Sequence, residues 1–326
     1  MKTLLTGLKP TGNLTLGNYI GSISQMVKMQ NDYKNYLFIA DMHAITVPND
    51  SEQLHNNIRD FLALYIACGI DPKKTVIYLQ SDIEYIPCIS WLLECNTYYG
   101  ELSRMIQFKE KSKQNANFTS GLLTYPVLMS ADILVVDADL VPVGVDQKQH
   151  VELTRDIAIR FNKKYGDTFK IPEPLITSVG TKIMDLVDPT KKMSKTEENP
   201  KGVIGLLDDV EVAKKKIMSA TTDSEMSVKY NPDLKPGISN LINIYSSLTG
   251  KRISDIEKEF DGCNYGTFKK EVANVVGDFL TRIQSKYNEL VNSSMLDDIL
   301  KAGADEVRRL SSAKFNDMKK KIGLYR

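Results

Sequence analysis

The chain has 326 residues, 42% hydrophobic and 25% charged, with a formal net charge of +1. These values fit a globular protein of one large or two ordinary domains, and they exclude an overall basic field as the means of attracting a polyanion. No apolar run approaches the roughly 18 residues of a transmembrane helix, and Cys68, Cys88, Cys95 and Cys263 form neither a CxxC pair nor a zinc-spaced cluster.

In chain order, residues 4–6 form a candidate first strand, 7–13 a loop, and a helix starts near Gly17, with Ile20, Ile23, Met26 and Val27 at helical spacing. Residues 36–40 and 75–79 are the second and third buried strands. Between them Ser51 is the expected N-cap of a helix carrying Leu54, Ile58, Phe61, Leu62 and Tyr65. A further helix runs through Trp91, Leu92 and Leu93. This strand–helix alternation predicts an α/β fold with a doubly wound parallel, Rossmann-like sheet. Residues 97–125 are charged and polar and interrupt the rhythm as an inserted helical segment. Alternation then resumes with a helix over 125–134, a short strand over 140–143 and a helix over 148–164. Beyond about residue 205 the pattern is nearly all helical. The expected organisation is a catalytic domain over 1–187 and an all-helical C-terminal domain over 188–326 that includes a lysine-rich loop.

The loop from Gly7 to Leu14 has P-loop glycine spacing, but Asn13 and Leu14 stand where a Walker motif needs Lys and Ser/Thr, so a P-loop ATPase is disfavoured. The dinucleotide pattern GxGxxG is absent too. Thr15-Leu16-Gly17-Asn18 follows at a helix start, whose free N–H groups and positive dipole end suit phosphate. Alone it is also what an ordinary strand-to-helix turn looks like. Far downstream, Lys191-Lys192-Met193-Ser194-Lys195-Thr196 lies between Asp188-Pro189 and Asn199-Pro200, a loop composition. Its ammonium groups suit a triphosphate, although lysine-rich loops are more often plain solvated surface.

Taken together, the two segments carry a resemblance. Pro10-Thr11-Gly12 leading to Thr15–Asn18 resembles the HIGH signature of class I aminoacyl-tRNA synthetases, and Lys192–Thr196 resembles their KMSKS loop. Further segments, among them Asp41-Met42-His43-Ala44, Met129-Ser130-Ala131-Asp132, Gly144-Val145-Asp146-Gln147 and Thr222-Asp223-Ser224-Glu225, resemble the bacterial tryptophan enzymes along essentially the whole chain. Thr15 and Asn18 replace the signature histidines and Thr196 the final serine. Val145 and Leu5 depart from what many relatives carry, Leu5 at a position of the indole pocket.

The resemblance implies tryptophan activation by ATP, with magnesium carried on the phosphates and no protein-built metal site, followed by transfer to tRNA(Trp). It implies a cytoplasmic homodimer with no membrane contact. The residues it puts on ATP are Lys9, Pro10, Thr11, Gly17, Asn18, Gly144, Val145, Asp146, Ile183, Lys192, Met193, Ser194, Lys195 and Thr196. Thr15, Asn18, Lys111, Lys192 and Lys195 are the catalytic set. Leu5, His43, Tyr125, Met129, Asp132, Val141, Val143 and Gln147 are the tryptophan set. Asp132 also stands out without the resemblance. It is a lone carboxylate in an apolar helix segment and must find a donor; an indole N–H is one, and nearby N–H groups of the protein, in a purely structural role, are the other. A tyrosyl enzyme of the same class or a non-catalytic paralogue are the alternatives. Lys214–Lys216 and Lys319–Lys321 are candidate RNA phosphate contacts that also read as solvated faces.

Overall fold

The computed structural model describes all residues except 115–116, 145–146, 177–180, 195–198 and 326. Among them five strands form one sheet: β1 (Thr3–Leu8), β2 (Lys34–Ile39), β3 (Thr75–Leu79), β4 (Leu140–Val143) and β5 (Glu173–Ile176). All pairings are parallel and the order is β3-β2-β1-β4-β5. The chain winds outward from β1 through β2 to β3, then returns to add β4 and β5 on the other side. That reversal leaves a crevice beyond the carboxyl ends of β1 and β4, the place where open α/β sheets take ligands. Pro142 brings no N–H to either neighbouring strand, and β4 meets β1 only at Leu4 and Leu140.

The helices are α1 (Leu16–Asn18), α2 (Ser24–Met29), α3 (Asp41–Ala44), α4 (Ser51–Ala67), α5 (Tyr85–Glu94), α6 (Tyr99–Ser103), α7 (Ile106–Gln114), α8 (Ser120–Val135) and α9 (Lys148–Tyr165). After the last strand come α10 (Val210–Met218), α11 (Pro236–Thr249), α12 (Ile253–Glu259), α13 (Tyr265–Leu290) and α14 (Met295–Ile322). Residues 36–40 are buried without a break because the sheet is covered on both faces. Tyr36 and Phe38 alternate into one apolar layer with Leu5, Tyr78 and residues of α5, α8 and α9. Leu37 and Ile39 point into the other, with Ile77 and residues of α4, α10, α11 and α13.

Two local features correct the sequence expectation. The cap of α4 is Asp50, whose carboxylate accepts from Gln53 N at 2.8 Å, and Ser51 is the first helical residue. The fifth strand, with Pro174 inside it, carried no alternation that marked it beforehand.

The helical region does not stand apart from the sheet. Helix α14 comes back to the edge strand β3 so closely that a Cβ on Gly303 would lie 1.9 Å from the Ile77 carbonyl oxygen. Leu296 packs in one apolar layer, and Ala304, Val307 and Met318 in the other. Tyr36 donates its hydroxyl hydrogen to Glu306 at 2.7 Å and Arg308 pairs with Glu84 at 3.1 Å.

Candidate active site at the sheet switch point

A cavity of about 430 Å³ opens at the crevice between β1 and β4, within the range of small-molecule sites. Its apolar walls are Leu5 from β1, Met129 and Ile133 one turn apart on α8, and Val141 and Val143 from β4. Phe38, Ala40, His43 and Tyr125 close one side, and Lys9, Gln107, Lys111, Gly144 and Gln147 stand at its polar end. Gly7 is needed here because a Cβ would sit 2.5 Å from the Phe38 ring. A smaller cavity of about 210 Å³ adjoins it, sharing Gly7 and Lys9 and reaching Thr11 and Asn18.

The polar end is cationic. Lys9 projects from the rim, yet burial of its ammonium lowers its pKa, and the nearby charge of Lys111 lowers it further. Lys111 also lies over the Tyr125 ring at 5.8 Å. The Tyr125 hydroxyl is 2.8 Å from His150 Nε2 and 3.3 Å from Gln107 Oε1, and burial pushes its pKa up to about 12. Two mutually repelling ammonium groups at a cavity mouth form a site that is relieved by a polyanion.

Behind the apolar wall lies a buried polar group. Asp132 is fully buried, and His43 Nε2–H donates to its Oδ2 at 2.9 Å. Gln80 Nε2 donates to both of its oxygens at 2.9 Å. Burial raises the Asp132 pKa, and the donors from His43 and Gln80 oppose that rise. Asp132 does not itself line the cavity, but its helix neighbours Met129 and Ile133 and its partner His43 do. The donor expected for this lone carboxylate exists in the protein, and Gln80, which supplies part of it, carried no signal in the sequence. Gln107, Phe38, Ala40 and Pro142 were likewise not foreseen.

The HIGH-like turn is built as a cap. Gly12 takes a left-handed φ of +66° that turns the loop. Thr15 Oγ1 accepts from Asn18 N at 3.1 Å, and Asn18 Oδ1 accepts from Thr15 N at 3.0 Å, a reciprocal capping box. Thr15 is buried and its hydroxyl is engaged in the cap, whereas Asn18 lines the smaller cavity. The loop is braced from downstream: Leu16 N donates to Ile204 O at 2.9 Å and Leu206 N to Leu14 O at 2.8 Å.

The lysine loop grows from a short antiparallel hairpin. Met193 N donates to Ile183 O at 3.0 Å and Asp185 N to Lys191 O at 2.8 Å. Asn240, buried on α11, clamps the Met184 backbone at both its N–H (2.8 Å) and its carbonyl (2.9 Å). Met193 is buried and Lys192 exposed beside it. A Cβ at Gly17 would be 3.4 Å from Met193 Cβ, so the two signature segments pack on each other. Val145, Asp146, Lys195 and Thr196 lie outside the described residues.

This arrangement has close counterparts. A family model described as "tRNA synthetases class I (W and Y)" matches residues 1–281. A tryptophan–tRNA ligase of Oceanobacillus iheyensis is 50% identical over 326 residues, covering 100% of both chains. One from Bacillus subtilis is also 50% identical, covering 100% of this chain and 98% of its own. The chain belongs to the tryptophan–tRNA ligase family. As a member it is an enzyme, an aminoacyl-tRNA ligase of class I. Its fold is shared with the tryptophanyl-tRNA synthetase of Mycoplasma pneumoniae (TM-score 0.85, 35% identity, covering 100% of this chain and 98% of the other). The Campylobacter jejuni synthetase, solved with ADP and tryptophan, has a TM-score of 0.85 at 34% identity, covering 98% and 99%.

Other segments quoted for the tryptophan–tRNA ligase resemblance are spent on structure. Asp223 Oδ1 accepts from the Tyr265 hydroxyl at 2.6 Å, and Glu225 pairs with Lys235 at 2.6 Å. In the basic runs, Lys214 pairs with Glu211 at 2.8 Å. Lys216 donates to Val203 O and Asp208 at 2.7 Å, and Lys321 pairs with Asp317 at 2.8 Å.

Proposed function

We propose that the chain joins tryptophan to ATP at the switch-point cavity and then passes the tryptophan to the 3′ end of tRNA(Trp). The packing of Gly17 against Met193 carries this reading, because it brings the two signature segments together next to an apolar cavity with a cationic mouth. The tryptophan carboxylate attacks the α-phosphorus of ATP. A P–O bond forms, the bond to the bridging oxygen breaks, and pyrophosphate leaves. The carboxylate is already ionised at neutral pH, so positioning and charge stabilisation supply the rate and no general base is required. A ribose hydroxyl of the tRNA then attacks the activated carbonyl and AMP leaves.

In this reading Leu5, Met129, Val141 and Val143 enclose the indole, His43 and Tyr125 flank it, and Gln147 meets the amino-acid end. Asp132 lies just behind the wall formed by Met129 and Ile133, and from there accepts the indole N–H. A carboxylate offers about four acceptor directions, and His43 and Gln80 occupy three. Lys9, Pro10, Thr11, Gly17, Asn18, Gly144, Val145, Asp146 and Ile183 receive the nucleotide. Lys111, Lys192, Met193, Ser194, Lys195 and Thr196 surround the triphosphate, and the lysines follow negative charge onto the leaving pyrophosphate. Thr15 acts through the cap that sets Asn18. Magnesium enters as part of the ATP substrate, held by its phosphates.

No helix among the described residues is long and apolar enough to cross a membrane, and the enzyme is assigned to the cytoplasm with its tRNA. It works as a homodimer in this reading. Trp91 and Ile45, 64% and 65% exposed, border an apolar groove of about 380 Å³ that shares Tyr125 with the active cavity. Lys215, Lys319 and Lys320 are the basic residues assigned to tRNA phosphates.

Pyrophosphate exchange into ATP tests the reaction. Exchange that depends on tryptophan, and exceeds the tyrosine-dependent rate by orders of magnitude, is the expected result. Equal or faster exchange with tyrosine overturns it.

A further inference from the structure

Gln80 follows directly on the third strand and opens a short helical turn, and its side chain is fully buried. Its amide nitrogen meets both oxygens of Asp132, and its own Oε1 has no hydrogen-bond partner among the described residues. That combination is unusual. A buried, unsatisfied acceptor is costly, and a residue placed only to join two elements would use both ends of its amide. Here the amide nitrogen is directed wholly at a single carboxylate. No backbone group of the chain pairs with the Gln80 side chain in the described hydrogen bonds, so the contact serves Asp132 alone.

We infer that Gln80 is a specificity-determining positioning residue, which holds the Asp132 carboxylate in the orientation that accepts the indole N–H of the substrate. The inference rests on the tryptophan-binding role proposed for Asp132. Two donors, His43 from α3 and Gln80 from the end of β3, fix the carboxylate from two sides. The rotation that would take it away from the cavity is thereby closed off before substrate arrives, which is the preorganisation that buried polar recognition needs. The other groups bearing on Asp132 are Asp41 on α3 and Tyr78 on β3. The Asp41 charge disfavours ionisation of Asp132, and the Tyr78 hydroxyl, also without a partner, is kept neutral. Gln80 and His43 thus provide the donors that favour the charged form.

The test compares tryptophan with an analogue whose ring has the same outline and no N–H, such as a benzothiophene alanine. In Gln80→Met, kcat/KM for tryptophan in pyrophosphate exchange falls about 10- to 100-fold, as for loss of a hydrogen bond to a charged group. The analogue changes no more than about twofold, because it has no donor to lose. The acid limb of the tryptophan pH profile also moves to higher pH, because the carboxylate has lost a donor. Gln80→Asn keeps the amide but is one methylene shorter, so it no longer reaches Asp132. It gives the same collapse of the tryptophan-to-analogue ratio should the Met variant not fold. Equal losses for both substrates, or an unchanged ratio with an unmoved acid limb, overturn the inference. Asp132→Asn is measured in parallel. If it leaves tryptophan preference intact, the parent role of Asp132 falls and this inference with it. If it abolishes the preference while both Gln80 variants keep it, only the Gln80 inference falls.

Discussion

The two ends of the central cavity are built on opposite plans. At the floor, Asp132 is buried and satisfied by His43 and Gln80 before any ligand is present. At the rim, Lys9 and Lys111 repel each other, and on the lysine loop Lys192 is exposed. In the proposed function the floor reads one small neutral donor, and a donor is discriminated best by an acceptor that is already fixed. In the proposed function the rim handles charge that moves during the reaction, and cations with no carboxylate partner among the described residues keep their attraction for the moment that charge arrives. Rigidity and latent charge thus divide the work of one cavity.

The contrast can be broken at either end. The largest expected effect is at the rim. Lys192→Ala slows adenylate formation in single-turnover assays by about 100- to 1000-fold, the usual scale for removing one stabilising donor of a developing charge. Its melting temperature stays that of the wild type, since the side chain is exposed. A wild-type single-turnover rate would remove the lysine loop from the chemistry.

A smaller effect appears at the floor as a dependence of stability on pH. The folded Asp132 carboxyl has a pKa above its ordinary value of 3.8. The folded state therefore binds this proton more tightly than the unfolded one. The resulting penalty is absent below that value and grows as pH rises toward the folded pKa. Relative to Asp132→Asn, the wild type loses stability on raising the pH above 3.8, at up to about 1.4 kcal/mol per pH unit. Denaturant unfolding across that range measures it, and a difference that is flat with pH would mean the floor is not held as described.

The smallest effect sharpens the rim. Triphosphate binding restores the lowered Lys9 pKa, so ATP takes up a fraction of a proton on binding at alkaline pH below 10.5. In Lys111→Met the repulsion is gone, and calorimetry in buffers of different ionisation enthalpy shows less uptake. Identical uptake in the two proteins would uncouple the lysines.

The same two plans explain what could be read without a structure. The doubly wound sheet was legible because a strand buried on both faces leaves an unbroken apolar run, as in residues 36–40. The capping reciprocity of Thr15 and Asn18 lies within four residues, so the helix start near Gly17 was legible too. The apolar walls Met129, Val141 and Val143 came through the resemblance, and the cavity lining contains all three. The polar support of the floor was not legible. Gln80 is 52 positions from Asp132 in the chain, and nothing local to a single glutamine after a strand says which carboxylate it will meet. Strand β5 was missed for a different reason. Glu173–Ile176 lies at the sheet edge with partly exposed residues and a proline, so it has neither an alternating nor a continuous apolar signature. The return of α14 to β3 is equally silent in the sequence, because Gly303 in a helix usually signals only weakness, and here it allows close contact with another backbone.

That contact has a consequence for how the protein is made. Every strand has left the ribosome before α14 is synthesised, so during translation β3 presents a bare edge to other nascent chains. The sheet is sealed only when Gly303 slots against Ile77. A messenger cut short within the last helix would yield a product prone to clump through β3, even though each residue lining the switch-point cavity had already been added.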